Sequence, residues 1–282
     1  MTAPPEGAAA VFGPALEGAQ VFAGMLATRG VEHGLIGPHE VPRLWDRHLL
    51  NCAVVAELIG TGPATLVDIG SGAGLPGIVL AMLRPELTVT LLEPMERRCR
   101  FLADCVTELA LANATVLRSR AEDVVLRADI ATARAVAPLD RLAELAIGLV
   151  RPGGMVLAIK GQTAAAELKK ARPVLKRIGA RSAEVVRAGQ GKVVPAATVV
   201  RFFARLGRTK GGARLRQAER RIVQRGAVER QGSGLAGGIA GEPAASTATR
   251  LDRRDRPGLA GWFKPRIERR SGGRGQVSSR RH

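Results

Sequence analysis

Ten residues, Asp68-Ile69-Gly70-Ser71-Gly72-Ala73-Gly74-Leu75-Pro76-Gly77, carry the densest chemistry in the chain. The β-branched apolar run Thr65-Leu66-Val67 precedes them, and a helical apolar pattern (Ile78, Val79, Leu80, Met82, Leu83) follows. Strand, glycine turn and helix in that order form a nucleotide-type binding turn. Glycine leaves no Cβ between a ligand and the backbone. The turn sets that ligand at a helix N-terminus and at the carboxyl end of a strand. Glu93 closes the next apolar run, Val89-Thr90-Leu91-Leu92. It falls about 20 residues on, where an acid holds ribose hydroxyls. At the end of a third run, Ser119-Arg120-Ala121-Glu122-Asp123 supplies backbone and carboxylate for an adenine edge. The same acids equally suit an ordinary helix N-terminus.

Three cofactor classes compete for the turn. A Walker loop needs Gly-Lys-Ser/Thr, and this turn has no lysine. A dinucleotide turn reads Gly-x-Gly-x-x-Gly, whereas Gly70, Gly72 and Gly74 read Gly-x-Gly-x-Gly. Pro76 then opens the helix with no amide to offer a pyrophosphate. S-adenosylmethionine, an adenosine with a cationic amino-acid tail, fits better. Asp68 offers that cation a negative environment, or else braces the turn.

Around these residues the pattern alternates. Strands are expected at 65–69, 87–92, 114–118, 128–134 and 154–160, with a final pair at 180–187 and 193–203. Helices are expected at 76–84, 95–112, 138–150 and 163–177. Such alternation implies an α/β fold with a mostly parallel sheet and helices on both faces. The last two strands have only a short link containing Gly189 and Gly191, so they must form an antiparallel hairpin at the sheet's end. Arg151-Pro152-Gly153-Gly154 reads as a turn. Residues 1–62 read as a helical segment packed on the catalytic domain. Its first helix is interrupted by Pro14 and Gly18, and a second spans about residues 40–60. The catalytic domain is 63–206.

Residues 207–282 hold 17 Arg and 2 Lys against six acids, so the tail carries +13 of the chain's +18. With few large apolar residues it cannot offset its ordering entropy, and disorder is expected. A charge of that size favours polyanions, nucleic acid before anionic membrane. Three cysteines (Cys52, Cys99, Cys105) are too few and too scattered for a disulfide framework or a four-ligand zinc site, and no metal is expected. No basic-then-apolar leader and no run of about 18 apolar residues is present, so a cytoplasmic protein without membrane contact is expected.

Several blocks resemble one family. Asp68–Gly77, Leu91-Leu92-Glu93, Arg97-Arg98-Cys99-Arg100-Phe101-Leu102, Ser119-Arg120-Ala121-Glu122 and Ala133-Arg134-Ala135 are similar to the bacterial small-subunit ribosomal RNA guanine-N7 methyltransferases, also called glucose-inhibited division protein B. Leu44–Asn51 resembles that family's helical N-terminal signature, and Ala158-Ile159-Lys160-Gly161 its late strand motif. The resemblance covers roughly residues 12–206. It implies a class I, Rossmann-like methyltransferase using S-adenosylmethionine. The implied target is N7 of one guanine in the 530 loop of 16S ribosomal RNA, within the small ribosomal subunit. It implies cofactor contacts from Gly70 and Leu75, ribose contact from Glu93 and adenine contact from Ala121 and Glu122. Arg134 is implied at the boundary between cofactor and substrate.

The residues agree with such a target. Arg134-Ala135-Val136-Ala137-Pro138-Leu139 lacks the Asn/Asp-Pro-Pro-aromatic motif that orients an amine. Guanine N7 already has an in-plane lone pair, so transfer needs alignment and no general base. Arg134 is expected to work off-centre, on guanine O6, a phosphate or the cofactor carboxylate. Lys160 is expected at RNA phosphate, and Arg47 with His48 at a substrate lip. Arg97, Arg98 and Arg100 read as a solvated helix face. A monomer is expected. A methyltransferase for another RNA or a small molecule, and a non-catalytic RNA-binding protein, are the alternative readings.

Overall fold

Leu66 and Val67 are both buried, on opposite faces of one strand. That double burial is what a parallel sheet covered by helices requires. The computed structural model describes residues 3–206, so the expected basic tail lies outside the described residues. Seven strands form one sheet: β1 (Ala64–Ile69), β2 (Leu87–Glu93), β3 (Ala114–Arg118), β4 (Ala128–Arg134), β5 (Val150–Lys160), β6 (Arg181–Ala188) and β7 (Ala197–Phe203). Their order is β3-β2-β1-β4-β5-β7-β6. The first five are parallel; β7 runs antiparallel to both β5 and β6, as the hairpin argument required. The order reverses between β1 and β4, which opens a crevice at their carboxyl ends. This is the class I methyltransferase architecture.

The helices are α1 (Ala8–Phe12), α2 (Leu16–Met25), α3 (Asn51–Ala53), α4 (Gly77–Leu83), α5 (Glu96–Glu108), α6 (Leu139–Ile147) and α7 (Ala164–Arg177). The N-terminal helices, α4 and α5 share a core with Leu66, Val89, Leu91 and Ile130 on one sheet face. α6 and α7 bury Leu142, Ala146, Leu168 and Leu175 against Val67, Ala131 and Val156 on the other. All three cysteines are buried free thiols.

Three local expectations change. Pro14 does tighten the first helix into a 3-10 turn, Gly13–Ala15, but Gly18 sits inside α2 without interrupting it. A Cβ there would lie 3.4 Å from Met82 Sδ, so the glycine admits α4. The second helix covers the expected span but is irregular. It runs as 3-10 turns Pro38–Arg43, a π-helical stretch Leu44–Leu50, α3, and a 3-10 stretch Val54–Leu58. β5 starts at Val150 and absorbs the expected turn: its partners jump from Ala128↔Val150 to Ile130↔Met155, so residues 151–154 form a bulge.

The run Ala8–Gly30, 23 residues with mean hydropathy 1.3, is long and apolar enough to cross a membrane by length and composition. It is not an unbroken apolar stretch, since Gly13, Pro14, Glu17 and Gln20 interrupt it. Phe12, Ala19, Phe22 and Leu26 on this run are buried in the protein's own core, and Phe12 packs edge-on against Trp45 at 6.0 Å.

Gly77 opens α4 beneath the turn. A Cβ there would lie 2.6 Å from Asp68 Oδ2 and collide with Leu91. Gly77→Ala is therefore expected to cost about 1–3 kcal/mol by overpacking. Urea unfolding measures it; an unchanged midpoint would show that the contact yields freely.

Candidate functional site at the carboxyl edge of the sheet

The glycine turn leaves β1 with its amides already committed. Gly70 N and Ser71 N donate to Leu92 O at 2.8 and 3.1 Å, and Gly74 N donates to Ser71 O at 2.7 Å. Gly70 has φ of +63°, and a Cβ on it would lie 3.0 Å from Val136, across the crevice mouth. Glu93, at the end of β2, is 1% exposed. Its Oε2 accepts Gly72 N and its Oε1 accepts Met95 N, both at 3.0 Å. Two backbone donors explain how an acid sits buried here.

Asp68 is completely buried. Its Oδ2 accepts Gly77 N at 3.0 Å, while Oδ1 has no partner. Burial pushes this carboxyl up to about 7. The expectation that Asp68 faces the cofactor's cation is corrected. The side chain braces the turn from below, because the strand's alternation turns it under α4.

A cleft of about 270 Å³ opens over the strand ends, between Gly70, Glu93, Met95, Arg98, Ala121, Glu122 and Val136. Of the expected cofactor residues it brings together Gly70, Glu93, Ala121 and Glu122. Gly72, Gly74 and Leu75 shape the turn behind it, with Leu75 in the apolar core. Glu122 follows β3 in a short 3-10 turn and pairs with Arg141 at 2.7 Å. A wider hollow of about 520 Å³ lies outside α5, walled by His33, Glu96, Arg97 and Asp104. It holds neither the turn nor a strand end of the crevice, so it is not the better site.

Arg134 ends β4 but is not a wall of the cleft. Its guanidinium turns toward the N-terminal segment. Nη1 reaches Cys52 Sγ at 3.4 Å; Nη2 donates to Arg47 O at 3.3 Å and to His48 Nδ1 at 2.6 Å. His48 Nε2 in turn lies 2.8 Å from Glu40 Oε2. A carboxylate can only accept, so Nε2 carries the hydrogen and Nδ1 is left to receive Arg134. Burial first, then the neighbouring Arg134 charge, lowers the His48 pKa, which keeps the ring neutral. The carbonyl that Arg134 reaches, Arg47 O, lies in the π-helical stretch Leu44–Leu50.

A sequence profile described as rRNA small subunit methyltransferase G matches residues 15–194. The chain is 58% identical over 200 residues to the Ribosomal RNA small subunit methyltransferase G of Thermobifida fusca, covering 70% of this chain and 84% of that protein. It is 49% identical over 230 residues to the Streptomyces avermitilis protein of the same name, covering 80% and 95%. The chain belongs to this family. A solved S-adenosylmethionine-dependent methyltransferase from Aquifex aeolicus superposes with a TM-score of 0.45 at 22% identity, over 60% of this chain and 99% of that one.

In this family member three expectations at the site are corrected. Lys160 does not face RNA phosphate. Its side chain is 9% exposed, bonded to Glu167 Oε2 and Ala137 O, both at 2.9 Å. Its charge is matched inside the protein because β5 ends beneath the start of α7. Arg98 is only partly solvated: it lines the cleft, with Nη1 3.8 Å from Glu93 Oε2 and a buried Nε that lacks a partner. The sequence signal was the spacing, since a residue two into the helix after a strand-end acid turns back toward it. His48 is buried and not a lip; Arg47 is exposed and paired with Glu40 at 3.0 Å. Glu40, which ties them together, was not anticipated; it stands at the very start of the expected second helix, where no spacing marks a partner eight residues on.

Asp68 gives a stability prediction with a definite sign. The native carboxyl keeps its proton up to about pH 7, while the unfolded one releases it near about 3.9. Its contribution is full below about pH 4 and is lost as pH rises through about 7. Asp68→Asn removes the titration. The wild-type urea midpoint, relative to the variant's, is expected to fall between about pH 4 and about pH 7 and to stay level above that. A constant difference would mean that Asp68 does not hold that proton.

Proposed function

We propose that this chain transfers a methyl group from S-adenosylmethionine to N7 of a guanine in the 530 loop of 16S ribosomal RNA. The substrate on this reading is the small ribosomal subunit in the cytoplasm, and the enzyme is a monomer. What carries the reading is the joint presence of the family match across residues 15–194 and the turn held over Glu93 at the crevice. The cofactor supplies a methyl group on a sulfonium, open to displacement by a lone pair.

The residues fit that cofactor. Glu93 spends one lone pair per oxygen on Gly72 and Met95, leaving acceptor capacity for ribose hydroxyls. Gly70 leaves the backbone bare at the mouth, where Val136 already occupies the other side. Ala121 and Glu122 wall the end of the cleft where an adenine edge would lie. Arg98 supplies a cation beside Glu93, facing the same space.

Among the described residues each carboxylate at the crevice is already engaged, Glu122 by Arg141 at 2.7 Å. Asp68 is sealed below the turn, and Glu93 is held by amides. Guanine N7 carries no proton, so none is required. Arg134 commits three N–H groups to Cys52, Arg47 and His48. Of its five donors, the other two remain for guanine O6 or a phosphate. Neutral His48 is then a positioning residue: it accepts from Arg134 only while Nδ1 is bare. Protonation on the acid side removes that acceptor, so turnover is expected to fall as His48 gains its second proton.

The direct test is incorporation of labelled methyl into small subunits lacking the modification, with nucleoside analysis and mapping of the base. 7-Methylguanosine in the 530 loop is expected; label elsewhere, or none, overturns the reading. Glu40→Ala frees the His48 tautomer and is expected to lower turnover about tenfold, the equivalent of about 1.4 kcal/mol. Glu40→Gln, whose carbonyl still accepts from Nε2, is expected to recover most of it. Equal rates in all three proteins would remove His48 from the positioning of Arg134. Arg134→Ala is expected to lose far more, with cofactor affinity unchanged by calorimetry.

A further inference from the structure

Most cations on the described surface are matched by an acid. Arg118 meets Glu96, Lys192 meets Glu57, and Arg201 meets Glu184, at 2.7 to 2.8 Å. α7 is different. Lys169, Lys170, Arg172 and Lys176 are exposed, and among the described residues no acid lies within ion-pair reach of them. Arg177 alone on this helix has its charge taken up, by Glu144. Glu167, the helix's single acid, is already held by Lys160 and Thr163.

The arrangement is a stripe. Lys169, Arg172 and Lys176 recur at three- and four-residue spacing, so they share one face. At 1.5 Å rise per residue their Cα atoms advance by about 4.5 and about 6 Å along the axis. Leu168, Ala171 and Leu175, each one residue earlier, are buried in the core, so the stripe runs along the helix flank about 100° round from the buried line. Like charges at this spacing repel by a few tenths of a kcal/mol per pair. The helix dipole relieves the charges only near the C-terminal turn, at Lys176.

The stripe is also joined to the site. Lys160 bonds Glu167 in α7 and Ala137 O in the loop that sends Val136 into the cleft. α7 therefore starts beside the crevice and leads away from it, with Lys176 about 18 Å along the axis from Ala164.

We propose that this exposed flank of α7 docks the phosphate backbone of the ribosomal RNA substrate, taking the phosphate contact that Lys160 cannot make. The proposal rests on the reading that the substrate is RNA. A row of unmatched cations with a rigid link to the reacting edge suits a polyanion of regular charge spacing, and it fixes how far the bound backbone lies from the target base. Counterion release makes such docking steeply salt-dependent, by about 0.7–0.9 in log–log slope per phosphate.

The test uses the full chain and its triple variant K169Q/R172Q/K176Q, with R97Q/R127Q as a control elsewhere on the surface. Affinity for unmodified 16S ribosomal RNA is measured by filter binding between about 50 and about 200 mM salt. The triple variant is expected to flatten the slope by roughly 2–3. It is also expected to raise KM for small subunits about tenfold, with kcat and cofactor affinity unchanged. An unchanged slope and KM overturn the proposal, even if the variant binds anionic vesicles less well. An equal loss per charge in the control overturns it too, since the effect would then be diffuse. The RNA measurement needs no turnover: a flattened slope in a protein that makes no 7-methylguanosine keeps the docking face and sinks the methylation reading.

Discussion

Two buried carboxylates hold the amides of one glycine turn, and the site depends on that constraint. Glu93 takes Gly72 N from the front, and Asp68 takes Gly77 N from beneath. Parallel strands β1 and β2 set both acids at neighbouring strand ends, so the turn is gripped between them. Without the two acids, Gly72 N and Gly77 N would lose these partners. The cost is Asp68, a carboxyl with one oxygen lacking a partner, held near neutrality by burial.

The other side of the crevice is organised from a distance. β4 delivers Ala135 and Val136 to the cleft, but Arg134 just before them is fastened to the N-terminal segment. Glu40, His48 and Arg134 form a line of three polar groups whose hydrogen positions are set by the carboxylate at one end. The N-terminal helices thus do more than cover a sheet face. Lys160 performs a comparable task from β5, joining the loop after β4 to α7. Each strand ending at the edge carries one polar side chain that fixes a neighbouring element, and this leaves the reacting space lined mainly by backbone and small residues. Such a lining suits a reaction that asks for alignment and supplies no proton.

Alternation of apolar runs with helical patterns determined the sheet, its helices and the closing hairpin, because burial on both faces leaves a period that can be read directly. The turn and Glu93 were legible for the same reason: local backbone geometry demands glycine, and the next strand's end is a fixed distance away. Local irregularities were less legible. The bulge at 151–154 and the π-helical stretch at 44–50 answer to neighbours far along the chain.

What only the tertiary structure decided is where each charged side chain spends its charge. Lys160 and Arg98 both left their expected places, one drawn inward by Glu167 and the other turned to Glu93. Arg134 found Cys52 and His48, 82 and 86 residues away in sequence. Glu40 became the anchor of that line from within an irregular turn. Hydrophobic periodicity is a property of short segments, and the chain carries it by itself. The partner of a long polar side chain is whatever lies within a few ångströms after folding, and no local pattern encodes it.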